Sequence, residues 1–357
     1  MTHFSVIVCL DDASKLEAAL APFDENLEVE EYRDYEKGEA SEFWLYRSLK
    51  RTAKDFADGT GILPYKPDQL GWSSDSSKET PEVQRQKQAE DARLFHSLPD
   101  PIRWRDIVQF HNERYDDDSE PLHYDEATDQ AYTLSTRNPD GKWDYWRIGG
   151  RWGGYFATTD FEAYAACAEW APRRDWDSPK RDQAGWVDGG QKKHLDLNAM
   201  RLQKANRAHA EYDSWEKLTD GLPEAQPWRA FAERAEKEAA DTEDVEEKRA
   251  AWNRARVEYG AQERVQAIKG SDIDSFTCRI GEFAKPRGLF VELARAQAVP
   301  GYALITVEGK WMAPGEMGWF GASTDREGDR IGYLEVANAY IESLADSAYL
   351  IAVDCHV

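Results

Sequence analysis

Two stretches of this chain carry residue types that do chemistry. The first is the ending Val353-Asp354-Cys355-His356-Val357, with a carboxylate, a thiol and an imidazole side by side. A cysteine nucleophile requires a nearby base and an orienting third group. Neighbours on an extended strand point to opposite faces, so Cys355 and His356 do not face each other there. Asp354 and His356 share a face and form a candidate carboxylate-imidazole pair. In that pair His356 is a general acid or base and Asp354 its orienting group. Cys355 is then either part of that site or a filler of the core. Neither HxxxH nor CxxC spacing is present to turn His356 and the acids near Asp24 into a metal site, and no metal or cofactor is expected.

The second stretch is Lys142-Trp143-Asp144-Tyr145-Trp146-Arg147-Ile148-Gly149-Gly150-Arg151-Trp152-Gly153-Gly154, which holds three tryptophans, two arginines and four glycines. Flat rings beside glycines belong to a tight turn on which something stacks. One reading is a buried aromatic corner. The other is a cleft in which Arg147 and Arg151, held by Trp143, Trp146 and Trp152, grip an anion. The two are compatible. Asp24 and Glu25, in the acidic run after Phe23, are candidate carboxylate partners for these arginines, because guanidinium favours bidentate contact with carboxylates. Gly315-Glu316-Met317-Gly318-Trp319-Phe320-Gly321 is a second glycine-aromatic loop. It adds Trp319 to the candidate ligand-binding residues. Its glycines lack the spacing and the Lys-Ser/Thr of a phosphate loop.

Asp140-Gly141-Lys142-Trp143-Asp144 followed by Ile148-Gly149-Gly150-Arg151-Trp152 resembles the centre of a family of uncharacterised proteins from bacteriophages and their bacterial hosts. Ala21 to Val29, Gly315 to Trp319 and the Val353-Asp354-Cys355-His356-Val357 ending resemble the same family. The resemblance covers the two ends and the centre. It implies no established activity, and its phage association implies a protein that counters a host system.

Composition narrows the partners. The 357 residues carry 68 acidic against 45 basic side chains, a formal net charge of −23. Such a field disfavours direct binding to nucleic acid or to an anionic membrane, though it leaves room for a local basic pocket. It also suits a host protein that itself holds nucleic acid. Fourteen tryptophans are incompatible with a disordered chain. The four cysteines, Cys9, Cys167, Cys278 and Cys355, are widely spaced and fit a reducing compartment. With no apolar run near the length of a membrane span and no signal-peptide pattern, a cytoplasmic location in the infected or host bacterium is expected.

The elements that must position these residues follow from patterning. Phe4 to Leu10 reads as a buried strand, and Lys15 to Leu20 as a short helix. Helices are expected over Glu39–Phe56, Pro81–His96, Trp104–Arg114 and Asp160–Trp170, with an irregular loop from Gly59 to Ser77. Ala131 to Thr136 reads as a strand before the Asn-Pro-Asp-Gly turn. Leu195 to Lys217, Gln226 to Ala240 and Val245 to Ile268 are rich in Ala, Glu, Lys and Arg and read as helices. Their apolar positions are sparse, so they read as a solvated helical hairpin or arm with little core to share. Ser271 to Ile280, part of Phe283 to Leu293, and Ala303 to Val307 read as strands. Tyr333 to Ala345 reads as a helix, and Ala348 to Val353 as a closing strand.

These elements give an α+β fold. Ferredoxin-like βαβ units would surround a mixed or antiparallel sheet, with the helical arm inserted. The divisions fall at 1–194, 195–270 and 271–357. Two function classes stay open. One is a phage-type accessory protein that inhibits a host factor through its acidic surface. The other is a cytosolic enzyme or binding protein for a small anionic, nucleotide-like ligand.

Overall fold

The computed structural model describes residues 3–35, 89, 93, 96, 104–114, 121–172, 185–242, 245–274, 280–316 and 324–357. The helix expected over 39–56, the loop over 59–77, Trp319 and Cys278 lie outside these. Two compact units form, one of residues 1–27 and 139–357, the other of residues 28–138.

The larger unit is built on a mixed sheet. Strand β1 (His3–Leu10) and strand β6 (Tyr349–His356) pair antiparallel along their whole length, from His3 opposite His356 to Leu10 opposite Tyr349. Both are almost wholly buried, and so they read as continuous apolar runs rather than alternating ones. On its other side β1 pairs parallel with β4 (Ala303–Ile305), which pairs antiparallel with β5 (Trp311–Met312). Beyond β6 lie β2 (Tyr145–Ile148) and β3 (Gly189–Gln191), both antiparallel to it. The order is β5-β4-β1-β6-β2, with β3 on a second stretch of β6. The α+β class with a mixed sheet is therefore as expected. The pairing does not specifically trace ferredoxin-like units, because β1 and its parallel partner β4 are direct neighbours rather than a pair split by an intervening strand.

Side-chain alternation gives the sheet two cores. Phe4, Val6, Val8 and Leu10 join Ile351, Val353 and Cys355 on one face, under α1 (Leu16–Leu20), Phe23 and Trp143. Phe23, Trp143 and Trp311 form an aromatic cluster there, with ring centroids 5.4–5.8 Å apart. Ile7, Cys9, Leu350 and Ala352 face the other way. They pack with Phe156, Cys167, Val187, Leu197, Met200 and the buried side of α7 (Glu327–Ser343).

The helical region has a core of its own. It comprises α2 (Leu197–Thr219), α3 (Trp228–Ala240), α4 (Val245–Ala261), α5 (Glu263–Ile268), the short helix Ile280–Phe283 and α6 (Arg287–Ala296). Tyr212, Trp215, Phe231, Tyr259, Ile268, Ile273, Phe283 and Phe290 are buried together, with Trp215 and Phe283 stacked at 5.0 Å and 6°. The apolar positions are sparse but large, and each fills the volume of several smaller ones. The strand expected within 283–293 is corrected here, since residues 280–283 and 287–296 are helical, with Pro286 as the N-cap of α6. Of the strand expected over 271–280, residues 275–279 lie outside the described residues. Pro-Arg-Gly marks a helix start rather than a hairpin turn, since proline suits the entry to a helix. The helix expected over 245–268 is two helices, broken where Gln262 turns extended.

The second unit contains a three-stranded antiparallel sheet, Tyr32–Asp34, Gln130–Ser135 and His123–Asp125, with the helix Trp104–Arg114. Among its described residues, Val108, Leu122 and Ala131 are buried together. Arg33 pairs with Asp125 at 2.8 Å, and His123 stacks on Tyr132.

A glycine loop clamped by two buried carboxylates

Strand β2 ends at Ile148, and the chain then turns through Gly149 and Gly150 into a single 3-10 turn, Gly150–Trp152. Gly149 and Gly150 have φ of 67° and 53°, a region that only glycine occupies freely. They also lack room for a side chain. A Cβ on Gly149 would lie 2.3 Å from Asp188 Oδ2, and one on Gly150 2.3 Å from Asp354 Oδ2. Two buried carboxylates therefore press against this loop, Asp354 at 1% exposure and Asp188 at 4%. The backbone N–H of Arg151 donates to Asp354 Oδ2 at 2.9 Å, and that of Gly154 donates to Asp188 Oδ1 at 2.6 Å. Charged acceptors make such bonds stronger than neutral ones, so the loop is held at both ends.

Asp354 has two further partners. Arg147 Nε lies 3.5 Å from Oδ2, and His3 Nδ1 is 2.9 Å from Oδ1. The imidazole paired with Asp354 is thus His3, where the sequence pointed to His356. Strand register is the cause. His3 lies opposite His356, which sets it diagonal to Asp354 and within reach of it. His356 instead meets Asp144, with Nδ1 to Oδ1 at 2.6 Å, because the Asp144 N–H donates to the His356 carbonyl and draws that residue alongside. The two imidazoles touch edge to face at 4.9 Å. A row of carboxylate, imidazole, imidazole and carboxylate runs over β1 and β6 to Asp144, the residue before β2.

Cys355 points the opposite way, into the core beneath Phe4 and Val353, and burial pushes its thiol well above the usual thiol range. A protonated, inaccessible thiol is a poor nucleophile. Trp143 is fully buried in the same core, and Trp146, opposite Cys355, packs against it. Asp24 accepts from the Asn26 backbone and side-chain amides, and Glu25 donates its N–H to the Trp143 carbonyl. Arg147 pairs with Asp354. Among the described residues, no group of three His, Cys, Asp or Glu side chains converges as a metal site requires.

Arg151 and Trp152 are exposed, and they open onto a cleft of about 620 Å³. That volume is in the range of small-molecule sites, roughly 300–1,000 Å³. One wall is the clamped loop, Arg151 to Tyr155, with Trp186. Met200 and Lys204 of α2 and Arg330, Tyr333 and Leu334 of α7 also line it. Ser5 of β1, with Pro300, Gly301 and Tyr302, belongs to the same lining. Tyr155 donates to the Pro300 carbonyl and Tyr333 to the Gly301 carbonyl, and burial pushes both phenols well above their usual range, so both remain donors.

The charges in this cleft are uneven. Arg151, Lys204 and Arg330 all line it and are exposed. Among the described residues, no hydrogen bond or ion pair reaches any of these three side chains. Among the described residues of the lining the one carboxylate is Asp325, which has an interaction of its own. Of the ligand-binding residues expected from the sequence, the structure brings Arg151 and Trp152 to the cleft and Arg147 to the buried carboxylate behind it. Trp143, Trp146, Asp24 and Glu25 do not line it.

His3, Asp144, Asp188, Lys204 and Arg330 were not singled out from the sequence. Asp188 carried a local signal, since Trp186-Val187-Asp188-Gly189-Gly190 repeats the aromatic, acidic and glycine mixture of the central stretch. Lys204 and Arg330 sit on charged helices with no local mark. Compared with known proteins, the chain matches no protein-family model, no curated protein and no solved structure.

Proposed function

We propose that this chain binds a small anionic ligand in the cleft beside the clamped loop, with Arg151, Lys204 and Arg330 as its charge contacts and Trp152 and Trp186 as flat walls. One observation carries this reading. In a chain with a net charge of −23, three cations with no partner among the described residues line one cleft. Elsewhere its arginines are commonly paired, as Arg207 is with Glu211, Arg254 with Glu238 and Arg287 with Asp213. Guanidinium and ammonium groups left unpaired on a cleft wall suit a phosphate or carboxylate.

The loop's construction supports the same reading. Asp354 and Asp188 fix its backbone, so Arg151 is presented from a rigid turn and little ordering remains for binding to impose. The His3–Asp354 and His356–Asp144 pairs buttress that turn from behind. A location in the cytoplasm, where phosphorylated metabolites are abundant, accords with it.

The test is calorimetric titration with pyrophosphate, ADP and UDP. Saturable binding that weakens with added salt is expected, and Arg151→Met and Arg330→Met should each reduce affinity about tenfold or more while melting like the parent protein. Absence of saturable binding by all three probes at millimolar concentration would refute the reading.

A second reading is favoured by the overall charge. An acidic accessory protein of phage type would engage a host protein through its carboxylate-rich surface and inhibit it. Capture of one host protein that is released by moderate salt, and that survives Arg151→Met and Arg330→Met, would support this reading over the first.

A further inference from the structure

A second cavity, of about 300 Å³, lies between α2, α6 and α7. Four residues, Lys204, Gln297, Arg330 and Leu334, line both this cavity and the cleft described above. Lys204 and Arg330, two of the three cations with no partner among the described residues, therefore stand where the two spaces meet. An anion held by Lys204 and Arg330 has room on both sides of it.

The two sides differ in chemistry. Toward the clamped loop the lining is aromatic, with Trp152, Tyr155 and Trp186, and it adds the cation Arg151. Toward α6 the second cavity is rimmed by Glu211, Glu282 and Glu327, with Phe290 and Leu293 also in its wall. Its other cations are paired, Arg207 with Glu211 and Lys285 with Glu327. Carboxylates and the Gln297 amide suit hydroxyl groups, since each carboxylate oxygen accepts hydrogen bonds and a sugar supplies several donors. A terminal phosphate would leave this second space unused.

Resting on the anion-binding reading, we infer that the ligand class is a conjugate in which an internal diphosphate joins an aromatic base to a hydroxyl-rich sugar. Arg151, Lys204 and Arg330 hold the diphosphate, the tryptophan side takes the base, and the carboxylate-rimmed cavity takes the sugar.

The experiment compares matched probes on the intact protein, ADP against ADP-ribose and UDP against UDP-glucose. At least one sugar conjugate should bind about tenfold tighter than its parent diphosphate, the gain expected from one or two hydrogen bonds to charged acceptors. Glu282→Ala and Glu211→Ala should each remove most of that gain and leave the affinity for the parent diphosphate unchanged. Glu282 is exposed, so its variant tests the idea without threatening the fold. Diphosphates that bind while both sugar conjugates bind equally or more weakly would overturn this inference and leave the anion-binding reading standing. No binding by any of the four probes would overturn both. A gain that survives both glutamate variants would place the sugar elsewhere and overturn the assignment of the second cavity.

Discussion

Replacing Gly150 with alanine tests whether the glycine loop is clamped as described. Alanine at φ 53° costs about 1–2 kcal/mol from the left-handed backbone alone, less about 0.4–1 kcal/mol recovered from the unfolded chain. The new Cβ would also lie 2.3 Å from Asp354 Oδ2, 2.5 Å from Asp354 Cβ and 2.6 Å from Arg147 Nε. Asp354 cannot swing away freely. It is buried between His3, the Arg151 N–H and Arg147, and moving it breaks hydrogen bonds to a buried charge worth roughly 1–3 kcal/mol. The expected total is about 1–4.6 kcal/mol. Gly309 is the internal control, because its φ is 77° yet nothing lies within 4 Å of the Cβ it would gain. Gly309→Ala should cost about 1 kcal/mol or less. Both are read as shifts in urea midpoint at constant slope. A difference between the two variants smaller than about 1 kcal/mol would show that the loop and Asp354 are not locked together, and the presentation of Arg151 would lose its basis.

Further outcomes follow from the same structure. Burial, reinforced by the nearby Glu308 charge, pushes the Cys9 thiol from 9.0 up to about 12. The folded state then keeps a proton that the unfolded chain loses above pH 9. Stability should therefore fall as pH rises from about 9, by about 1.4 kcal/mol per pH unit for each such thiol. Denaturation midpoints at pH 8, 9 and 10 measure this, and a flat profile would contradict it. The same burial should leave Cys9 and Cys355 unreactive toward a thiol reagent at pH 8 until the protein is unfolded. Deleting residues 195–268 behind a short Gly/Ser bridge should abolish cooperative melting, because Leu197 and Met200 belong to the sheet core and Phe283 and Phe290 would lose Tyr212 and Trp215. A sharp melting transition in the shortened chain would show that the sheet stands without them. A gel-shift titration with duplex DNA at physiological salt should show no complex up to micromolar protein, since a net charge of −23 opposes the phosphate field.

Elements defined by local pattern were legible before the structure. The valine- and isoleucine-rich β1, the closing strand and the helical character of the segments rich in Ala, Glu and Lys read correctly, the break at Gln262 apart, because backbone propensity and periodicity act within a few residues. The opposite facing of Cys355 and His356 was legible too, since it follows from the two-residue repeat of a strand. Residues 280–296 misled because a Pro-Arg-Gly triplet is compatible with a turn or with a helix entry, and only packing against Tyr212 and Trp215 selects the helix. The sparse apolar positions of the helical region hid a core of large rings for a related reason. The pattern counts positions, while the core is filled by volume.

The candidate site divides along the same line. Amino-acid types alone marked the central glycine, tryptophan and arginine stretch, the acidic field around it, and the polar groups at the end of β6 as the places where chemistry could sit. Which groups meet there was decided by strand register and by the crossing of distant helices. Register gave His3 to Asp354 and Asp144 to His356, at separations of 351 and 212 residues. The helices α2 and α7 brought Lys204 and Arg330 to the cleft that Arg151 faces. Contacts of that range depend on the closure of the whole sheet, whereas sequence pattern reports forces that act within a turn or two of backbone.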